Sequence, residues 1–240
     1  MDTFAATVAW LTAPASWAGP DGVPVRMLEH LAISLPSILA AILIALPVGA
    51  WIGHTGRHAA IAINLAGLGR AIPSYAVLAI VLPISLRFSP EWGLSVIPTF
   101  TAMTLLAIPP ILVGTYAGLR GVDPEVVEAA RGLGLSEPQI LLQVELPLAL
   151  AVVAGGLRTA AVQVIATATL GAVVAYGGLG RYIIDGIARN EDDRLLAGVV
   201  LVAALAITVE LAFALVQRRL VPRGLRATTL LQPASAGPLL

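Results

Sequence analysis

LLAGVVLVAALAITVELAFALV, residues 195–216, is 22 residues long and carries one charge, Glu210. A helix needs about 20 mostly apolar residues to cross roughly 30 Å of hydrocarbon, so this stretch is a spanning helix. Four more windows qualify: residues 31–52; 59–86, interrupted by Arg70 and Pro73; 94–119, with Pro98, Pro109 and Pro110 inside; and 148–175, carrying Arg158 and Gln163. The reading is all-α, a polytopic membrane protein with five spans.

Composition agrees. The chain has 240 residues, 58% hydrophobic and 12% charged, with mean hydropathy +0.91. Soluble domains average about 25% charged residues, and this chain lacks the polar groups to cover a globular surface. Disorder is excluded by the same apolar richness. Fourteen basic and fourteen acidic residues cancel, which argues against nucleic-acid binding through bulk charge. There is no Cys, hence no disulfide framework and no thiolate metal site.

Residues 1–30 read as an external or interfacial arm. Its apolar part, residues 4–17, is short, is broken at Pro14 and has no basic residue before Arg26 as a signal peptide would; a partial sixth span is the alternative. Residues 31–216 form the membrane domain and 217–240 a tail. With the segment between the third and fourth spans in the cytoplasm, Arg57, Arg120, Arg131, Arg218, Arg219, Arg223 and Arg226 lie inside. Arg26, Arg87, Arg181, Arg189 and Arg194 lie outside. That bias has the sign of the positive-inside rule, so the N-terminus is expected outside and the C-terminus in the cytoplasm.

Residues 120–147 are the longest polar interruption. Asp123-Pro124 reads as an N-cap followed by Pro at the first helical position. Good helix formers follow up to Arg131, and Gly132 and Gly134 suit a left-handed stop. Ser136-Glu137-Pro138-Gln139 has the form of a capping box, opening a second helix expected to stop at Pro147. Two short helices at an angle suit a plain connector or a helix that docks in a partner's groove. DNA recognition does not fit, because the second helix lacks basic residues.

Glu128-Ala129-Ala130, three residues, Gly134, nine residues, then Val144-Glu145-Leu146-Pro147 resembles the E-A-A loop of binding-protein-dependent ABC transporter permeases, with Val144 in place of Ile. Residues 155–170 and 177–186 are similar to the osmoprotectant branch, which imports glycine betaine, carnitine, choline and related quaternary amines. The resemblance implies the five-helix core of type I importers in a bacterial cytoplasmic (inner) membrane. It also implies a second permease subunit, identical or paralogous, and two cytoplasmic ATPase subunits that use ATP and Mg. A separate extracytoplasmic binding protein delivers the solute. On this reading Glu128 contacts the ATPase or caps the turn, Ala129 and Ala130 allow close approach, Gly134 makes the bend, and Val144, Leu146 and Pro147 complete the coupling motif.

Charges inside a bilayer usually face the bundle interior. Arg70 and Arg158 either snorkel or pair, for instance with Glu210, or they line the translocation path. Gln163, Thr159, Thr167 and Thr169 form either a polar stripe or a helix-packing face. An aromatic face would suit a trimethylammonium group, yet Tyr116, Tyr176, Tyr182 and Trp92 fall near span ends, where aromatic belts are expected. Tyr75 does not, and stays a path candidate. The run Gly177-Gly178-Leu179-Gly180 reads as an outer gate or hinge, or a plain turn.

Nothing points to enzymatic chemistry on this chain. It has no phosphate-cradling G-x-x-x-x-G-K-[ST], so ATP hydrolysis is assigned to the partner and no cofactor or metal to this subunit. His30, His54 and His58 read as solvated loop residues. The competing classes are an importer for another small solute such as an amino acid, an ATP-independent secondary transporter, and a membrane enzyme or scaffold. The second lacks an internal inverted repeat; the third lacks an acid–base constellation.

Overall fold

The computed structural model describes residues 3–220, apart from the side chains of Ala62, Leu65, Arg70 and Leu220. Among the described residues the helices are α1 (Thr3–Thr12), α2 (Val23–Thr55), α3 (Ala59–Ala71), α4 (Ser74–Phe88) and α5 (Pro90–Gly93), then α6 (Val96–Arg120), α7 (Pro124–Gly132), α8 (Glu137–Ile140), α9 (Leu146–Thr167), α10 (Gly180–Arg189) and α11 (Asp192–Leu220). Four helical runs are long and apolar enough to span: Val23–Thr55, Val96–Arg120, Glu137–Val174 and Asp192–Arg219.

The expected second span is a bent pair. Ala59–Gly69 and Ser74–Phe88 meet at 86°. Pro clashes with a helical residue before it, and Ile72 is extended at φ −77°, ψ 119°. The chain therefore leaves the helix at Ile72-Pro73; counted as one broken span, the pair brings the total to five.

Two further differences from the sequence reading have local causes. The first span starts at Val23 rather than at residue 31, with Pro in its first turn. Its 33 residues reach roughly 50 Å at 1.5 Å each, longer than the bilayer core. The extra turns carry Arg26, Glu29 and His30, and each finds a partner there. Second, the helix after Ser136 does not stop at Pro147. A π turn, Leu141–Glu145, joins α8 to α9, with Leu146 N–H donating to Leu141 O. The π turn shifts the hydrogen-bond register by one residue just ahead of Pro147, at the first turn of α9, where a missing N–H costs least. From Glu137 onward the polar segment and the fourth span are one continuous helix.

α6 is the central helix, packed between α2 and α9. Small residues let these helices close in. A Cβ on Gly114 would lie 2.8 Å from Gly156 Cα, one on Gly156 2.7 Å from Pro110 O, and one on Gly49 2.9 Å from Leu112 O. In lipid, where burying apolar area gives no advantage over the chains outside, such backbone approach is the source of helix–helix affinity. Ala41, Ala45, Met103, Ala107, Ala160 and Val164 fill the core between them. The N-terminal arm is helical and packs on α11, with Trp10 and Leu11 against a cluster of Val23, Leu179, Tyr182, Leu201 and Val202.

Candidate functional site

Contacts divide the molecule into two ends. At one, the C-terminal ends of α2 and α6 meet α8 and the π turn. At the other, the start of α2 meets the glycine run 177–180 and α10.

At the first end, α7 is capped at both termini. Asp123 Oδ1 accepts from Glu125 N–H at 2.9 Å. Gly134, at φ +85°, closes the helix: Leu135 N–H donates to Ala130 O at 3.2 Å and Gly134 N–H to Arg131 O at 2.9 Å. That pair of bonds is the Schellman arrangement, and its left-handed position favours Gly. Gln139 Oε1 accepts from Ser136 N–H at 2.8 Å, the return bond of the expected capping box. Arg131 grips Glu137 with two bonds, Nε to Oε1 at 2.7 Å and NH2 to Oε2 at 3.0 Å. The first of these, with the charge of Glu137, holds the guanidinium above its ordinary range.

This unit offers an outward face. Glu128 and Ala129 are exposed, Val126 is 42% exposed and Leu133 82%. Val126, Ala129 and Leu133 stand at i, i+3 and i+7, the spacing of anchors that seat a helix in a groove. Ala130 instead is buried within this chain. Of the downstream anchors, Val144 and Leu146 are half-buried and Pro147 is exposed.

Two of the three histidines overturn the loop reading. His30 is buried in α2, with Nε2 2.8 Å from Ile165 O of α9. His54 is the penultimate residue of α2; Nδ1 lies 2.5 Å from Glu145 Oε2 and Nε2 3.0 Å from Glu137 Oε2. Both fell outside the apolar windows, but the helix extends past them. Only His58 is exposed, its ring stacked on Trp51. The partners of His54 lie 83 and 91 positions away, so spacing could not have revealed them; Glu145 alone carried a signal, as the polar residue inside Val-Glu-Leu-Pro. Among the described residues no group of three or more His, Asp or Glu forms a metal site.

Midway along the spans, Arg158 of α9 pairs with Glu210 of α11, the partner that sequence pairing suggested. Arg158, Thr159, Gln163, Glu210 and Gln217 line one open polar groove of about 640 Å³, and Gln217 Nε2 donates to Ala151 O at 2.8 Å. Thr167 and Tyr75 are not in its lining: Thr167 ends α9, and Tyr75 is an exposed residue in the first turn of α4. The Arg70 side chain lies outside the described residues, as do Arg223 and Arg226. A separate apolar cavity of about 330 Å³ opens at the α3–α4 bend, between Val48, Ala66, Val77 and Pro109.

At the other end, Gly178, at φ +84°, donates its N–H to Glu29 Oε2 at 2.7 Å. A side chain on Gly177 would collide with the same carboxylate, and one on Gly180 with the Thr169 backbone. Arg26 pairs with Glu29 and Asp21, Tyr176 donates to Glu29 O at 3.0 Å, and Tyr182 to Asp21 O at 2.6 Å. Burial raises the Tyr176 phenol above its ordinary value.

The sequence-family model of the binding-protein-dependent transport system inner membrane component matches residues 31–223. The carnitine transport permease protein OpuCB of Listeria monocytogenes is 34% identical over 202 residues, 84% of this chain and 89% of that protein. The choline transport system permease protein OpuBB of Bacillus subtilis is 32% identical over 198 residues, 82% and 88%. The osmoprotectant import permease protein OsmW of Salmonella typhimurium is 33% identical over 198 residues, 82% and 91%. Among solved structures, an inward-facing MetNI methionine ABC transporter aligns with TM-score 0.74 at 21% identity, covering 83% of this chain and 97% of that one. An amino acid ABC transporter with histidines aligns with TM-score 0.60 at 21% identity, covering 81% and 92%. At that identity both speak for the fold.

Proposed function

The chain belongs to the family of binding-protein-dependent transport system inner membrane components, the permeases of ABC importers, and on that premise we propose that its cargo is a quaternary-amine osmoprotectant such as carnitine, choline or glycine betaine. The substrate reading rests on the relatives, which are named for carnitine, choline and osmoprotectant transport and match more than four-fifths of the chain.

The observation that carries the mechanism is the capped, outward-facing α7. ATP binding closes a pair of cytoplasmic ATPase subunits, and α7 seats in a cleft of one of them. Val126, Ala129 and Leu133 enter the cleft and Glu128 makes a polar contact at its edge. Ala130 packs inward and Gly134 sets the bend. Because helix runs unbroken from Glu137 through Val144, Leu146 and Pro147 into α9, a displacement at the cleft is delivered directly to the span that carries Arg158. Rigid rods driven at one end are a common way to switch between two states.

This arrangement has the α7 end in the cytoplasm, the N-terminus outside and the C-terminus inside. A second permease subunit, identical or paralogous, faces the Arg158–Glu210 groove, since charged side chains in a span avoid lipid. That groove, with Gln163 and Thr159, is the described part of the translocation path. Arg70, Tyr75 and Thr167 are assigned to it more distantly, along α3, α4 and the outer end of α9. Gly177, Gly178 and Gly180 form an outer gate held shut by Glu29, where a separate binding protein hands over the cargo.

The test is the reconstituted assembly of this chain with its ATPase and binding protein in proteoliposomes. Hydrolysis should rise when carnitine, choline or glycine betaine is added with the binding protein, and the solute should accumulate. Stimulation by an amino acid instead would overturn the substrate, and uptake without an ATPase would overturn the mechanism.

A further inference from the structure

The cluster at the base of α2 joins four elements through four side chains. Arg131 of α7 holds Glu137 of α8; Glu137 Oε2 sits 3.0 Å from His54 Nε2; His54 Nδ1 sits 2.5 Å from Glu145 of the π turn. The central pair is enclosed: the His54 and Glu145 side chains are 10% and 7% exposed. We propose that His54 is a positioning residue for coupling, a clamp that carries the movement of the docking helix into the first span. This rests on the reading of α7 as the ATPase-docking element.

Three observations lead there. First, the clamp closes on the π turn. Single π turns inside α-helices are rare and tend to mark functional positions, and this one lies between the docking unit and α9. A rod driven at α8 would move α9 without moving α2; the two contacts of His54, to α8 and to the π turn, tie α2 to it. Second, α2 packs along the whole central helix α6, so displacing its base moves the core of the bundle. Third, one ring serves both contacts: Nδ1 faces Glu145 and Nε2 faces Glu137, so a single side chain ties the π turn and α8 to α2. Breaking either contact releases one of the two.

The neighbouring charges from the elements packed there are Arg131 and Glu128 of α7 and Arg120 at the end of α6, whose guanidinium lies beside Gly56. Arg57 and His58 follow in the exposed turn. Of these, Arg131 donates to Glu137 Oε2, the oxygen that also faces His54.

The experiment measures solute taken up per ATP hydrolysed, using the full complex with binding protein and a relative's cargo, carnitine. Wild type and His54→Gln, His54→Phe and Glu137→Ala are compared, with co-purification of the ATPase as the check on assembly. For the His54 variants we expect the ratio to fall at least about fivefold, the low end of typical coupling between sites, with the ATPase still bound and hydrolysing. A His54→Phe complex that keeps the wild-type ratio overturns the clamp. Should the His54 variants fail to assemble, Glu137→Ala, at a half-exposed position, removes one of the two contacts, and a wild-type ratio there overturns it. A wild-type complex that carnitine, choline and glycine betaine all fail to stimulate would instead count against the cargo reading, a separate failure.

Discussion

Replacing Glu210 by Leu would leave Arg158 without its carboxylate in the middle of a span. Arg158 stands 12 residues from the start of α9 and 9 from its end, roughly 18 and 14 Å along the axis at 1.5 Å per residue. On insertion scales a lone Arg at the bilayer centre costs about 2.5–3.5 kcal/mol. Both side chains are 36% exposed within the subunit, so water entering the groove lowers that figure toward the ~0–1 kcal/mol of an open ion pair. We expect about 1–2 kcal/mol of lost unfolding free energy for Glu210→Leu and for Arg158→Leu, between those limits. The double replacement should recover most of it, because neither charge is then left alone. Reversible unfolding in bicelles, run as a double-mutant cycle, gives the coupling directly. If the two single losses add to within ~0.5 kcal/mol in the double variant, the residues act independently and the pair is not a shielded one. Transport by the double variant is a second readout: a stable protein with impaired uptake keeps the groove on the path, while normal uptake removes it.

Two further substitutions test the helix crossing and the docking turn. Gly156→Val should lower stability by about 1–3 kcal/mol, the usual cost of overpacking, because a Cβ there meets Pro110 O at 2.7 Å and Gly114 Cα at 3.1 Å. Gly67→Ala, with nothing within 4 Å, is the control and should cost nothing in the same unfolding assay. Gly134→Val puts a β-branched residue at φ +85° in open space, so its penalty is the backbone alone, about 1–2 kcal/mol. Because that turn aims α7, uptake should fall sharply in vesicles while Gly134→Asn, which tolerates the left-handed region, retains most of it; equal uptake by both would show that the turn does not aim the helix.

Much of the architecture is readable along the chain because its causes are local. Twenty apolar residues in a row can only be a span, whatever surrounds them, and residues 195–216 say so unaided. The caps of α7 and α8 were equally legible, since Asp123, Gly134 and Ser136 with Gln139 act within five residues of where they stand. Pro73 announced a break for the same reason, though not its 86° bend.

Other expectations failed where a distant partner or a shift of register decided the outcome. Pro147 reads as a stop, yet the helix passes through it, because the π turn moves the missing N–H to a position where it costs little. His30 and His54 read as loop residues since the apolar windows stop short of them. Helix continues beyond the hydrocarbon wherever its polar side chains find partners, and Ile165, Glu137 and Glu145 are brought there only by folding.

The sequence by itself thus determined that this chain is a helical membrane protein with a polar segment of two capped helices, because hydrophobic length and helix capping are properties of neighbouring residues. Tertiary structure decided among the readings of Arg158 in favour of its pairing with Glu210, and it alone decided that Gly114 would meet Gly156 and that His54 would bridge two carboxylates 8 residues apart. Each of those pairings joins residues at least 40 positions apart, and such partners are chosen by how the helices pack rather than by any pattern along the chain.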